Sequence, residues 1–105
     1  DLIISGGYNI YPKEVEQVLD DQPGVLESAV IGVAHGDLGE APDGVLVADG
    51  SRDLDLEALS QTVAQSLARF KCPRKLVVVD ALPRNTMGKV QKNLLRETYA
   101  DLFKG

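Results

Sequence analysis

Three short runs of apolar, largely β-branched residues decide what this chain can fold into: Val25 to Val33, Val45 to Ala48 and Leu76 to Val79. Such runs become strands, and between them the apolar residues change to helical spacing. Val15, Val18 and Leu19 form one stripe after Pro12, whose fixed φ suits a first helical turn, while Glu14 and Glu16 complement the positive helix start. Pro23-Gly24 ends that helix. Leu56, Leu59, Val63 and Leu67 form a second stripe, with Asp53 or Asp55 as its cap, and Val90, Leu94, Leu95 and Leu102 form the inner face of a third helix. At the front, Leu2-Ile3-Ile4 and Tyr8-Asn9-Ile10 flank Ser5-Gly6-Gly7, the pattern of a tight hairpin. His35 to Gly44 reads as a loop dense in Gly, Asp and Pro, and Lys71-Cys72-Pro73-Arg74 as a break. The unbroken apolar character of Leu76 to Val79 predicts a central strand covered on both faces. The order βαββαβα predicts an α+β fold: a small three-stranded sheet flanked by helices, preceded by a short β-hairpin, with residues 1–105 as one domain.

Composition narrows the function. The net charge is -5, yet basic residues gather at Arg69 to Lys75 and at Arg84 to Arg96. That balance argues against sequence-independent nucleic-acid binding and permits one anionic ligand near the C-terminal third. Cys72 and His35 are each the only residue of their kind, so an intramolecular disulfide is excluded and a metal site is not expected. No apolar stretch approaches the roughly 20 residues of a membrane-spanning helix, and the single cysteine fits a reducing cytoplasm. The abrupt start at Asp1, with no initiator methionine, reads as a piece cut from a longer protein.

Two loops carry candidate chemistry. Ser5-Gly6-Gly7-Tyr8 offers a backbone without Cβ atoms that a narrow ligand could approach, although a plain turn explains the same spacing. Thr86-Met87-Gly88-Lys89 presents one ammonium on a Pro/Gly-punctuated loop, a means of meeting a phosphate or carboxylate, although most loop lysines are merely solvated. The pattern is not a Walker loop, which needs Gly-x-x-x-x-Gly-Lys-Ser/Thr after a strand. Arg69, Lys71, Arg74 and Arg84 are candidates for a phosphate or domain-docking surface, the alternative being a solvated charge run. His35 has no serine or cysteine nucleophile at a triad-like spacing and reads as a loop residue.

Asp1 to Glu16 and Leu82-Pro83-Arg84-Asn85-Thr86-Met87-Gly88-Lys89, in that order and at that separation, resemble the C-terminal domain of the adenylate-forming enzymes, and the resemblance spans the chain. That superfamily holds acyl-CoA synthetases, adenylation domains of peptide synthetases and luciferases. Residues 83–96 are similar to malonyl-CoA synthetases. The resemblance implies a mobile lid domain that works with a large N-terminal domain, absent here. With magnesium, ATP and a small carboxylic acid give an acyl-adenylate and pyrophosphate; after domain rotation, the coenzyme A thiol attacks it. It implies that Lys89 is the adenylation lysine, and that Ser5, Gly6, Gly7 and Tyr8 line the pantetheine tunnel in the second orientation. The superfamily's hinge residue would directly precede Asp1, which matches the acidic position beside it. The same resemblance leaves open a domain that loads a carrier protein; a reading from another class is an isolated binding or regulatory module recognised by a lysine acetyltransferase that neutralises Lys89. One departure is Gly39-Glu40-Ala41-Pro42-Asp43-Gly44: relatives run from Gly-Glu-Ala into apolar residues, and Pro42 cannot donate to a sheet ladder, so a strand start there is not expected.

Overall fold

The computed structural model describes residues 2–103, so Asp1 and the position assigned to it lie outside the described residues. Two strands, β1 (Ile3–Ser5) and β2 (Tyr8–Ile10), form the expected hairpin, with Ser5 opposite Tyr8. Gly6 and Gly7 turn it with φ of 57° and 85°, a left-handed pair that matches the strand twist and that residues with a Cβ adopt only at a cost. Helix α1 (Pro12–Asp20) follows, burying Pro12, Val15 and Leu19.

Strands β3 (Val25–His35) and β4 (Gly39–Ala48) pair antiparallel along their length, and β5 (Lys75–Val79) runs parallel to β4 from Asp43 to Val47. Ser5 pairs with Gly39, so the hairpin joins the three longer strands in one five-stranded sheet. Two expectations about its strands need correction. The loop expected from His35 to Gly44 is only a short turn, because β4 begins at Gly39 and runs through Pro42, opposite Gly32. The proline is tolerated because its carbonyl accepts from the Arg74 N–H (2.8 Å), ahead of the β5 ladder. Its nitrogen faces the same edge, so no ladder donor is missed. β5 is not central: among the described residues it pairs with β4 alone, and Val78 is 46% exposed. Its unbroken apolar run reflects packing on both faces of the sheet, with Leu76 on one side and Val77 and Val79 on the other.

Helix α2 (Leu56–Ala64) is capped by Asp55, whose carboxylate accepts from the Ala58 N–H (3.1 Å). Ile3, Ile10, Val15, Leu19, Val30, Leu46, Leu59 and Val63 close the core between the sheet and α1 with α2. Ala29, Ile31, Val33, Val45, Val47, Leu82 and Leu95 close a second layer under α3 (Lys92–Thr98). From α3 into the turns that follow it, the stripe runs through Leu95, Tyr99 and Leu102, while Leu94, expected on the inner face, is 44% exposed. At 100° per residue, Leu94 and Leu95 cannot both face the sheet squarely.

A β-bulge in β3 decides where the next features sit. Between Val25 and Glu27 the register slips, so Val25 faces the α1 layer while Glu27, opposite Val47, faces the α3 layer. That is the face crossed by residues 82–90 on their way to α3.

Candidate functional site

Lys89 stands exposed at the end of a hydrogen-bonded turn. Asn85 builds that turn: its side-chain oxygen accepts from the N–H groups of Met87 (3.0 Å) and Lys89 (2.9 Å). Its own N–H donates to the Lys89 carbonyl (2.9 Å), and its carbonyl accepts from the Gly88 N–H (3.0 Å). Gly88 takes φ of 84°, the left-handed conformation that lets the chain reverse before the lysine. The turn is fastened on both sides. Arg84 forms an ion pair with Glu27 on β3, and its guanidinium also donates to the Gly88 carbonyl (3.4 Å). Arg84 and Val90 bridge as strand residues, and the Gln91 N–H donates to the Pro83 carbonyl (2.8 Å). Beyond the turn, Lys92 reaches Glu16 on α1 (2.8 Å), which also accepts from the Val30 N–H (2.9 Å) and so covers part of the outer edge of β3. A cavity of about 670 Å³ lies beside the loop, lined by Lys89, Lys92, Arg96, Asn85, Glu16 and Ser28 among others.

The hairpin tip faces a second groove, of about 350 Å³, where Ser5, Gly6 and Tyr8 meet Leu38, Arg69, Phe70 and Arg74. Tyr8 stacks on Phe70 with ring centroids 4.6 Å apart, and the Gly6 N–H donates to the Leu38 carbonyl (2.9 Å). Ser5 is buried and contributes from the groove floor, whereas Gly7 is exposed outside the lining. Of the four basic residues singled out in the sequence, Arg69 and Arg74 therefore join the hairpin groove. Lys71 instead pairs with Glu14 (3.0 Å), and Arg84 is engaged by Glu27. Leu38 and Phe70 were not legible as groove residues, since their neighbours in space come from distant segments. Asn85 lay inside the quoted motif, and an Asn two residues before an exposed N–H is a local turn-building signal.

Other groups are less suited to chemistry. Burial raises the Cys72 thiol above its ordinary range, which keeps it protonated and a poor nucleophile. Among the described residues no three His, Cys, Asp or Glu side chains converge as metal donors. No helix among them is long and apolar enough to cross a membrane. Asp43 is the unusual group: fully buried in β4, with neither carboxylate oxygen hydrogen-bonded among the described residues, it is pushed up to about 7 by burial, with Lys75 acting in the opposite direction.

Residues 14–89 match the family model of the AMP-binding enzyme C-terminal domain. The crystal structure of apo MatB from Rhodopseudomonas palustris superposes with a TM-score of 0.96 at 55% identity, over 99% of this chain and 21% of that one. The o-succinylbenzoate CoA synthetase of Bacillus subtilis, solved with its acyl-adenylate intermediate, gives 0.85 at 42% identity, over 91% of this chain and 19% of that one. A long-chain-fatty-acid–CoA ligase of Mycobacterium tuberculosis is 42% identical over 100 residues, 95% of this chain and 20% of the ligase. The chain thus spans about a fifth of the length of the relatives it matches.

Proposed function

Because the chain belongs to the family of AMP-binding enzyme C-terminal domains, we propose that it serves as the mobile lid of an ATP-dependent acyl-CoA synthetase. The reaction joins a carboxylic acid to coenzyme A with cleavage of ATP to AMP and pyrophosphate. Its acid is malonate or another short-chain acid, a reading supported by the resemblance of residues 83–96 to malonyl-CoA synthetases. The observation that carries the proposal is the placement of Lys89: exposed, cationic, and fixed by its backbone in a fastened turn. A carboxylate approaching a nucleotide triphosphate meets electrostatic repulsion, and a preorganised cation aimed at the developing charge lowers that barrier. Among the described residues no three His, Cys, Asp or Glu side chains converge as donors for the magnesium that accompanies ATP, and in this reading the chain's contribution is the Lys89 ammonium.

In the second orientation, the hairpin groove receives coenzyme A. Its floor of Ser5 and Gly6 presents backbone to a thin pantetheine arm, and Arg69 and Arg74 stand at its side with the charge and fork geometry for phosphates. In the full-length enzyme, Lys89→Ala is expected to slow adenylate formation, read by pyrophosphate exchange, on the order of 10²–10³-fold. Thioester formation from supplied acyl-adenylate stays near its normal rate. Unchanged pyrophosphate exchange would falsify the assignment of Lys89.

A further inference from the structure

We infer that Asn85 is the positioning residue that aims Lys89, an inference that rests on the proposed role of that lysine. A lysine side chain has many rotamers on a flexible stem, so the precision with which its ammonium arrives is set by how well its backbone is held. At Lys89 two side chains take part: the Asn85 oxygen holds the N–H at 2.9 Å, and the Gln91 amide reaches the carbonyl at the longer 3.4 Å. The Asn85 oxygen accepts from the Lys89 N–H and from the Met87 N–H, and the Asn85 main chain closes the loop from both directions through the Lys89 carbonyl and the Gly88 N–H. Asn85 itself is exposed and sits directly after Arg84, whose ion pair with Glu27 fixes the loop to β3. The loop therefore has an outer clamp, Arg84 with Glu27, and an inner template, the Asn85 amide. Only the template bonds the lysine's own N–H.

Removing the amide oxygen frees two N–H groups that water can satisfy, so the fold is retained while the lysine samples other directions. A displacement of about 1 Å at a reacting centre can slow a reaction about 100-fold. In the full-length enzyme, Asn85→Ala is expected to slow pyrophosphate exchange about 10- to 100-fold, acting mainly on kcat, with the KM values for ATP and acid changed less. Thioester formation from supplied acyl-adenylate, measured on the same sample, stays near normal and reports that the domain is folded. Asn85→Asp keeps an acceptor oxygen in place and is expected to recover most of the lost rate; an alanine-like rate for Asn85→Asp overturns the inference. So does an Asn85→Ala enzyme that exchanges pyrophosphate at full speed, or one whose two half-reactions fall together. Lys89→Ala separates the two levels: if it slows exchange as expected while Asn85→Ala leaves the rate unchanged, the lysine keeps its role and Asn85 loses its own. If Lys89→Ala is also silent, both fall.

Discussion

Asp43 shows how one residue sets the pH response of a fold. Its carboxyl lies in the middle of β4 with no hydrogen-bond partner among the described residues, and burial lifts it from an ordinary 3.8 to about 7. In the unfolded chain the group ionises near its ordinary value, while the folded chain keeps it protonated until roughly neutral pH. Between those limits the unfolded state binds fewer protons, so stability falls as pH rises and levels off above about 7. At about 1.4 kcal/mol per unit, the full effect is about 4 kcal/mol. Asp43→Asn, which cannot ionise, is expected to be more stable than the parent by about 2–4 kcal/mol near pH 8 and nearly equal to it near pH 4, judged by urea midpoints. Parallel pH profiles for parent and variant would remove the argument.

At the scale of elements, legibility tracked how local each signal is. The hairpin and the start of α1 follow from Gly6-Gly7 and Pro12, residues whose backbone demands are their own, and both were legible in the sequence. The strand start at Gly39 was hidden because Pro42 is tolerated only through the edge it faces, a fact of neighbours far along the chain. The edge position of β5 was hidden for the same reason: an apolar run records coverage of faces, not the number of paired strands. In the site, Lys89 and the hairpin tip stood out in the sequence, while the junction of that tip with Phe70 and Arg74 needed the fold. The local part can be tested at Gly7, where an added Cβ would meet no atom within 4 Å and only φ of 85° opposes a side chain. Gly7→Ala is expected to cost about 1 kcal/mol and Gly7→Asn distinctly less, because Asn tolerates the left-handed region. Equal thermal shifts for the two variants would point to packing instead of backbone strain.

At the scale of the whole molecule, the two loops grow from different layers of one sheet. The hairpin strands place Ile3 and Ile10 in the core beneath α1 and α2, whereas the lysine loop is bracketed by Leu82 and Leu95 in the layer beneath α3. A lid that offers one loop and then the other by rotating must move as a rigid body, or the turn would dissipate in internal sliding. In the proposed lid the two layers are joined by β3 and β4, which send Val30 and Leu46 into one and Ile31 and Val45 into the other, with Glu16 and Lys92 tying α1 to α3 around the edge of β3. Truncating either layer should therefore unfold both together. Leu46→Ala and Leu95→Ala are each expected to destabilise the chain by about 2–5 kcal/mol. In both, the backbone signal in far-ultraviolet circular dichroism and the environment of Tyr99, which packs on the second layer at the end of α3, should be lost at one urea concentration. If Leu95→Ala instead releases Tyr99 while the sheet signal persists, the α3 layer moves independently of the hairpin layer, and a rigid two-faced lid is the wrong description of this domain.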